Sequence, residues 1–384
     1  MPKLFRITTV PISIEKLLGN QLTYMNQFFE VTAISSDKKE LERVGKELGV
    51  KTYAVDMTRK ITPLADLKSL YQMYHCLKKE KPHIVHTHTP KAGLIGMLAA
   101  KMAGVKVRLH TVAGLPLMET SGIKRILLNF IEKLTYACAM KVYPNSYGLK
   151  DFILKEGFCK EDKLKVIANG STNGIDTNYF DPNLFSEEKK SNLRFELGID
   201  ENDFVFIFVG RLVKDKGINE LVSAFLQTIS DLKNFTSKLL LLGSVEQDLD
   251  PLLPSTLIEI RSNPNIISVG YQKDVRPYLA ISNVLVFPSY REGFPNVVMQ
   301  AGAMGLPAIV SNINGCNEII IESSNGVIVN VKNEVMLKQA MQKISEDNAF
   351  YKKLSKNARM MIVERYQQQI VWDNLLNEYK LNCI

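Results

Sequence analysis

The chain has 384 residues, of which 46% are hydrophobic and 23% charged, an ordinary composition for a globular protein with a sizeable core. Five scattered cysteines without a Cys-x-x-Cys pair argue against a disulfide framework or a cysteine-bound zinc and favour a reducing cytoplasm. The net charge of +8 suits an anionic partner, such as nucleic acid, a nucleotide, phospholipid or lipid diphosphate, without choosing among them. The sequence contains no apolar stretch of about 18 residues that would predict a membrane-spanning helix, and its N-terminus lacks the apolar core of a signal peptide.

Strand-like and helix-like segments alternate in the first half of the chain, which predicts βαβ units and a parallel sheet. The predicted strands cover residues 4–10, 30–35, 83–87, 105–111, 141–143 and 165–168. The predicted helices cover residues 37–48, 66–80, 91–103, 123–140 and 147–155. Residues 169–192 are rich in Asn, Gly, Ser and Asp, which predicts a crossing between two domains.

The alternation restarts after this crossing. The predicted strands cover residues 204–209, 238–242, 266–269, 284–287, 308–310 and 327–329. The predicted helices cover residues 219–232, 275–281, 296–304, 335–346, 349–364 and 366–379. The pattern predicts an α/β protein of two doubly wound domains with a cleft between them. Because ligands of such sheets bind at the carboxyl ends of the strands, functional residues are expected in the segments that follow strands.

The first such segment runs from Val209 to Gly217. Gly210 lets the backbone turn tightly where the strand ends, and Arg211 and Lys216 place two cations beside a helix N-terminus. This arrangement can grip a diphosphate. A solvated basic turn is the alternative that the spacing alone leaves open.

The second segment comprises residues 288–307 and follows another predicted buried strand. Pro295 is predicted at the first helical position, where its missing N–H costs nothing. The free amides of residues 296–298 would then face an anion or sugar hydroxyls. Glu292 stands just before this helix, where it could also simply cap the helix dipole. Gln300 lies about two turns further along, on the same general side.

These two segments, in this order and spacing, resemble the family-four retaining glycosyltransferases of the GT-B fold, of the bacterial capsule and O-antigen type. The resemblance rests on Gly210-Arg211-Leu212 with Lys216-Gly217, and on Glu292-Gly293-Phe294-Pro295 with Gly305-Leu306-Pro307. It implies a Rossmann-like acceptor-binding domain (residues 1–180 with the C-terminal helix, 366–384) and a Rossmann-like donor-binding domain (residues 181–365). The implied activity is retaining transfer from a nucleotide-sugar, with a UDP-sugar as the expected donor, to a polyprenyl-diphosphate-linked or oligosaccharide acceptor, without a cofactor.

The resemblance also implies residue roles. The family residues that match Arg211 and Lys216 clamp the donor diphosphate, and the one that matches Glu292 contacts the transferred sugar, so these three are the first catalytic candidates. Gln300 stands where the family's second glutamate holds the ribose hydroxyls; an amide can bond a hydroxyl, but without charge-assisted strength. The implied donor site comprises Gly210, Arg211, Lys216, Tyr271 (beside the nucleotide base), Glu292, Phe294, Pro295, Asn296, Val297 and Gln300.

Signals for the acceptor lie in the first half. Residues 85–93 resemble the His-Thr-His-x-x-Lys-x-Gly stretch of bacterial polysaccharide members, which directs His88 and Lys91 toward the cleft. His110 is a further catalytic candidate because some members place an active-site histidine there, and a packed histidine is the alternative. Asn173 belongs to an Asn-Gly-Ile-Asp segment that resembles the family's approach to the domain crossing and is first of all turn chemistry.

Two patterns with metal-like spacing are discounted. Of His83, His86 and His88, only two share a strand face, and no nearby carboxylate completes a ligand set. Asp248-Leu249-Asp250 has the Asp-x-Asp spacing of the other large glycosyltransferase fold, but we interpret its polar surroundings as a solvated loop. The resemblance to the GT-B glycosyltransferases implies transfer without a metal, because Arg211 and Lys216 can stabilise the leaving diphosphate.

The helix predicted over residues 123–140 is basic and amphipathic. Its apolar face comprises Ile126, Leu127, Phe130, Leu134 and Ala137. The favoured interpretation packs this face against the sheet, and the alternative lays it on an anionic bilayer. We expect a cytoplasmic protein with at most peripheral contact with the inner face of the plasma membrane.

Three other functions stay open. A catalytically idle subunit that binds a nucleotide-sugar is supported by Gln300 and by Ala113, which stands where many family members carry a histidine. A nucleotide-sugar epimerase of the same fold would lack the Glu-Gly-Phe-Pro motif. Nucleic-acid binding through the basic surface lacks interleaved aromatic residues or a known module.

Overall fold

A computed structural model describes residues 1–115, 117, 120–231, 236–246, 248 and 250–383. The chain forms two compact units, one of Met1–Gly174 with the C-terminal segment from Gln368, and one of Ile175–Gln367. The sequence predicted the divisions at 180/181 and 365/366, whereas the units divide at 174/175 and 367/368. Each unit is built on a six-stranded parallel sheet, so the predicted α/β architecture of two doubly wound domains is confirmed.

The first unit has the strand order β3-β2-β1-β4-β5-β6. Its strands are β1 (Lys3–Ile7), β2 (Glu30–Ser35), β3 (Lys51–Ala54), β4 (Ile84–Thr87), β5 (Val107–Val112) and β6 (Lys141–Pro144). Its helices before the crossing are α1 (Pro11–Ser13), α2 (Gln21–Met25), α3 (Lys38–Leu48), α4 (Pro63–Glu80), α5 (Pro90–Met102), α6 (Gly122–Cys138) and α7 (Tyr147–Lys155). The predicted strand at 165–168 is wrong, because these residues form no strand; an isolated bridge between Val142 and Leu164 comes just before them.

The second unit has the strand order β12-β11-β10-β7-β8-β9. Its strands are β7 (Phe204–Val209), β8 (Ser237–Leu242), β9 (Ile266–Gly270), β10 (Val284–Phe287), β11 (Ala308–Ser311) and β12 (Gly326–Val329). Its helices are α8 (Glu187–Glu196), α9 (Ile218–Asp231), α10 (Pro254–Ser262), α11 (Arg276–Ala280), α12 (Asn296–Ala303), α13 (Cys316–Ile319), α14 (Glu334–Glu346) and α15 (Asn348–Tyr366). The last helix, α16 (Gln368–Cys383), belongs to the first unit. The predicted helix end at Leu232 lies outside the described residues.

Strands β7 and β10 position the candidate site. Strands β7 and β10 are neighbours in the sheet. After β7 the chain continues to β8 on one side of this pair, and after β10 it continues to β11 on the other side, so the direction in which the chain winds across the sheet reverses between β7 and β10. The loops that follow β7 and β10 therefore emerge side by side at the carboxyl edge, where doubly wound sheets bind ligands. Phe206, Ile207 and Phe208 are fully buried in succession, as expected for a strand covered on both faces.

Helix α6 packs with the opposite face from the one predicted. Of the predicted apolar stripe, Ile126, Leu127, Phe130 and Ala137 are exposed and Leu134 is half-buried against the core, whereas Glu132 and Thr135 outside the stripe are buried. The interpretation that the apolar stripe covers the sheet is therefore wrong. Among the described residues, no helix is both long and apolar enough to cross a bilayer.

Candidate functional site

The centre of the candidate site is an ion pair between the two loops that follow β7 and β10. Lys216 ends a short 3₁₀ turn, Lys214–Lys216, and its Nζ donates to Oε1 of Glu292. The Oγ of Ser289 donates to the same carboxylate oxygen at 3.1 Å. The two charged side chains are only 15% and 18% exposed, so the pair is partly shielded from water. Such shielding strengthens their interaction with an incoming charge.

A hydrogen bond and an ion pair at Asp215 hold the turn that carries Lys216 in place. The backbone N–H of Asp215 donates to Oδ2 of Asp250 at 2.6 Å, and Arg291 pairs with the Asp215 carboxylate at 2.9 Å. Gly217 has φ +71, and a Cβ there would lie 2.3 Å from the carbonyl oxygen of Pro288. The two loops can therefore approach each other only because residue 217 has no side chain.

These contacts correct the interpretation of the Asp-x-Asp segment. Asp250 is partly buried and holds the turn through the amide of Asp215, so it is a structural residue and not simply part of a solvated loop. Asp248 is exposed, and Leu249 lies outside the described residues. Over the described part of the chain, no group of three or more His, Cys, Asp and Glu side chains is placed to hold a metal ion. Independence from metal stays a prediction.

A pocket of about 390 Å³ adjoins the end of β7, a size within the usual range for small-ligand sites. Its walls include Gly210, Arg211, Gly243, Tyr271 and Gln272. Gly243 has φ +148, and a Cβ there would lie 1.8 Å from the carbonyl oxygen of Gly210, so a side chain at this position would displace the wall of the pocket. Tyr271 is largely exposed at the pocket and offers a free aromatic face.

Arg211 lies at this pocket and bonds to a carboxylate from another loop. Its Nη1 is 3.0 Å from Oε2 of Glu246, and about half of the Arg211 side chain is exposed. An exposed ion pair of this kind contributes at most about 1 kcal/mol, so Arg211 can exchange Glu246 for a more highly charged anion. A phosphate group would gain bidentate hydrogen bonds from the planar guanidinium.

Helix α12 begins at Asn296, where the predicted helix over residues 296–304 begins, but Pro295 does not occupy the first helical position. Pro295 is its N-cap, with φ −75° and ψ 110°, and not its first helical residue. The amide of Val298 donates to the carbonyl of Pro295 at 3.2 Å, which removes one of the three amides predicted to be free. Asn296 and Val297 form the first turn, whose amides have no intrahelical acceptor. Phe294 packs edge-on against Tyr366, and Gln300 lies half-buried on the second turn.

Asn314 and Gly315 support the loop that carries Glu292. Nδ2 of Asn314 donates to the carbonyl of Gly293 at 2.7 Å. Gly315 has φ +75, and a Cβ there would lie 2.6 Å from the same carbonyl oxygen. The carboxylate of Glu292 is thus held in place by Lys216, Ser289 and the backbone that Asn314 supports. Taken together, this edge of the sheet offers two cations, one fixed carboxylate and free helix amides, which suit a diphosphate joined to a hydroxyl-rich group.

The sequence missed three residues that complete this arrangement. Glu246, Ser289 and Asp250 bond to Arg211, Glu292 and the 214–216 turn respectively. Glu246 and Asp250 belong to the loop after β8, which the strand order places next to the loop after β7. Only the adjacency of these two loops, and no local motif, would have indicated Glu246 and Asp250.

The predicted acceptor residues belong to the first unit, whereas the donor pocket is built from residues of the second. His88 is buried and accepts from Nε of Arg6 at 3.0 Å. Burial, with nearby His86 and Arg6, lowers the pKa of His88 well below its usual range, so the imidazole is neutral. Lys91 pairs with Asp66, and both side chains are largely buried. A role for His88 and Lys91 on the acceptor side stays a prediction.

Two further candidates are engaged in packing. His110 is buried and bonds through Nδ1 to the hydroxyl of Thr87 at 2.7 Å, and burial lowers the pKa of His110 to about 4. This environment fits the packed alternative, and a catalytic role for His110 stays a prediction. Oδ1 of Asn173 accepts from the indole N–H of Trp372 at 2.7 Å, so Asn173 anchors α16 within the first unit.

Two family models match the chain. The model described as glycosyl transferases group 1 matches residues 189–361, the part that contains the Lys216–Glu292 pair. The model described as glycosyl transferase 4-like domain matches residues 22–170. Each model therefore covers most of one compact unit.

Similar proteins extend over the full chain. The capsular polysaccharide biosynthesis glycosyltransferase CapM of Staphylococcus aureus is 34% identical, over 98% of this chain and 96% of CapM. The UDP-Gal:alpha-D-GlcNAc-diphosphoundecaprenol alpha-1,3-galactosyltransferase of Escherichia coli is 28% identical, over 94% and 93% of the two chains. The crystal structure of Anabaena HepE in complex with UDP and glucose matches with a TM-score of 0.80 at 17% identity, over 99% of this chain and 100% of that one. At this identity the structural match bears on the fold alone.

Proposed function

The chain belongs to the group 1 glycosyl transferases, and from this premise we propose that it transfers a sugar with retention from a UDP-sugar to a sugar linked to a polyprenyl diphosphate. The product would serve the assembly of a surface polysaccharide. The observation that carries the proposal is the shielded Lys216–Glu292 pair at the winding reversal of the second sheet. It combines a cation for a leaving diphosphate with a carboxylate for the hydroxyls of a sugar.

The donor would occupy the pocket beside β7. Tyr271 and Gln272 are available to the base, and the glycine backbone at 210 and 243 leaves room for the nucleotide. Arg211 and Lys216 would then bind the diphosphate. The uridine assignment draws support from the E. coli relative, whose name specifies UDP-Gal.

The chemistry needs neither a covalent intermediate nor a metal. The bond between the anomeric carbon and the diphosphate oxygen breaks and leaves an oxocarbenium-like sugar. The acceptor hydroxyl attacks this sugar from the face that the diphosphate leaves. The proton of that hydroxyl passes to the leaving diphosphate oxygen, so charge and atoms balance. Lys216 and Arg211 stabilise the negative charge that develops on the diphosphate, which is usually the largest catalytic contribution of such groups. Glu292 would hold hydroxyls of the transferred sugar and orient its anomeric carbon.

The acceptor assignment draws support from the same relatives. The name of the E. coli protein specifies a diphosphoundecaprenol-linked GlcNAc, and CapM is named for capsular polysaccharide biosynthesis. A polyprenyl acceptor resides in a membrane, so the enzyme would work at a bilayer surface as a peripheral protein. Its net charge of +8 suits an anionic lipid headgroup region.

The test is transfer from a panel of UDP-sugars to a synthetic polyprenyl-diphosphate-GlcNAc in detergent, followed by NMR of the purified product. The expected result is one accepted UDP-sugar and an α-linkage, because the donors of the panel are α-anomers. A β-linked product would contradict retention. Binding of UDP without transfer to any acceptor would favour the catalytically idle subunit.

A further inference from the structure

Glu246 brings a carboxylate to the pocket of about 390 Å³ beside β7. Among the described residues that form the walls of this pocket, Glu246 alone carries a negative charge. A carboxylate beside a binding site for a diphosphate weakens binding by like-charge repulsion, unless a cation compensates it or the ligand offers it a hydrogen-bond donor. The diphosphate therefore does not account for the presence of Glu246 in this pocket.

Backbone contacts hold Glu246 beside Arg211. Glu246 belongs to the loop after β8, and the adjoining Val245 forms an isolated bridge with Leu212, the residue after Arg211. The amide of Leu212 also donates to the carbonyl of Ser244 at 2.9 Å. These contacts fix the loop after β8 against the loop after β7 within two residues of the ion pair, so the position of the carboxylate is set by the fold.

The ion pair uses one atom of each side chain. Nη1 of Arg211 lies 3.0 Å from Oε2 of Glu246. Among the described residues, Nε and Nη2 of Arg211 and Oε1 of Glu246 have no hydrogen-bond partner. The guanidinium can therefore bind a phosphate through its Nε–Nη2 edge while the pair stays intact. Arg211 then compensates the charge of the carboxylate, and Oε1 of Glu246 stays open to a donor from the ligand.

The chemistry of a nucleotide limits what Oε1 can bind. An ionised carboxylate only accepts hydrogen bonds, and uridine diphosphate donates them through its ribose hydroxyls and through N3–H of uracil. Under the proposed function, the base lies at Tyr271 and Gln272 and the diphosphate at Arg211. The ribose joins the base to the diphosphate, and Glu246 is bonded to the residue at the diphosphate end. The ribose hydroxyls are therefore the donors that lie next to Glu246.

We propose that Glu246 accepts hydrogen bonds from the ribose hydroxyls of the donor and makes the site selective for ribonucleotides over deoxyribonucleotides. The proposal rests on the proposed function for the place of the diphosphate. A site built to bind a hydroxyl rejects the analogue that lacks it, because the buried acceptor then loses its partner. Gln300, to which the resemblance assigns the ribose, follows β10, whereas Glu246 follows β8 on the other side of β7. The two contacts are therefore separable by mutation.

Calorimetry with UDP, 2′-deoxy-UDP and 3′-deoxy-UDP tests the proposal without transfer. The wild type should bind UDP about tenfold more tightly than the analogue that lacks the bonded hydroxyl. Glu246→Gln should lower this ratio to about threefold, since an amide oxygen accepts more weakly than a carboxylate, and Glu246→Ala should lower it to about one. Asp248→Asn is the matched control, because it removes an exposed carboxylate from the same loop, and it should keep the wild-type ratio.

Steady-state kinetics separate binding of the ribose from orientation of Arg211. The ribose contact is the same before and during cleavage of the bond to the sugar, so Glu246→Ala should raise KM for the UDP-sugar about tenfold and leave kcat within about twofold of the wild type. A fall in kcat with KM unchanged would assign Glu246 to orienting Arg211 and overturn the proposal.

The remaining outcomes keep the two proposals distinguishable. Equal ratios in the wild type and Glu246→Ala would overturn the role of Glu246 alone, and tighter binding of every nucleotide at an unchanged ratio would make Glu246 a competitor for Arg211. Discrimination against N3-methyl-UDP that depends on Glu246, with none against the deoxy analogues, would assign the carboxylate to the base instead. Selective UDP binding without transfer to any acceptor would overturn the proposed function alone, and a wild type that binds none of these nucleotides would overturn both.

Discussion

Replacing Glu132 with glutamine should stabilise the protein above neutral pH and have little effect in mild acid. Glu132 lies on the inward face of α6 and is 5% exposed. Burial raises the pKa of Glu132 from its ordinary 4.5 to about 7, and the neighbouring Tyr136 hydroxyl offsets only part of that rise. The folded state therefore holds the proton more tightly than the unfolded state does.

The sign and size of the effect follow from linkage. A raised folded-state pKa contributes stability that is fully present below 4.5, falls as the pH rises, and is gone above about 7. Each pKa unit is worth about 1.36 kcal/mol, so ionising Glu132 in the folded protein costs about 3 kcal/mol at pH 8 and less than about 1 kcal/mol at pH 5. Glutamine does not titrate and avoids this cost.

Thermal unfolding at pH 5 and pH 8 measures the difference. For a unit of this size, about 3 kcal/mol corresponds to a gain in Tm of roughly 6–12 °C at pH 8. Glu42→Gln, on the exposed side of α3, is the control and should change stability by no more than about 0.5 kcal/mol at either pH. If Glu132→Gln melts in parallel with the wild type at both pH values, the buried carboxylate does not titrate as described.

Three further predictions concern the site and the first unit. Transfer should persist in excess EDTA, because Arg211 and Lys216 supply the positive charge; loss of activity that Mn²⁺ restores would contradict this. Gln300→Ala should weaken UDP binding by about 1–2 kcal/mol in calorimetry, whereas Gln300→Glu should bind as well or better; equal affinities in all three proteins would remove Gln300 from the site. Gly93→Ala should destabilise the fold by about 1–3 kcal/mol in urea, because the added Cβ would lie 2.5 Å from Cε1 of His110; unchanged stability would show that His110 can move.

Continuous apolar runs made the central strands predictable. Phe204–Val209 and Val284–Phe287 form strands with the predicted bounds because all their positions are buried except Val209, which is half-buried. Strand β3 was missed because it lies at the edge of its sheet and alternates exposed residues with half-buried ones. Helix α8 was missed because it buries no residue and so shows no apolar periodicity.

The orientation of α6 could not come from its sequence. Periodicity identifies an apolar stripe, but a stripe that faces a core and one that faces lipid have the same spacing. Glu132 gives no local indication that it is buried, since its burial depends on which face the other helices cover. The favoured interpretation of this helix was therefore wrong, although its position along the chain was predicted closely.

The donor-site candidates were predictable because they are local to strand ends. Arg211, Lys216 and Glu292 each follow a buried strand within a few residues, and parallel strands bring their carboxyl ends to one edge. The first-unit candidates stay predictions. His88 and Asn173 have partners that are remote in sequence, Arg6 and Trp372, and no local motif would have indicated these contacts.

The most direct measurement of the donor site compares kcat/KM for sugar transfer in Lys216→Ala and Lys214→Ala. Both lysines belong to the same 3₁₀ turn, but Lys214 is exposed, while Lys216 bonds to Glu292. Lys216→Ala should lose about 10²–10³-fold, the usual effect of removing one preorganised electrostatic group, and Lys214→Ala should stay within about twofold of the wild type. Near-normal transfer by Lys216→Ala, or equal losses in the two variants, would contradict the assignment of Lys216 to the leaving diphosphate.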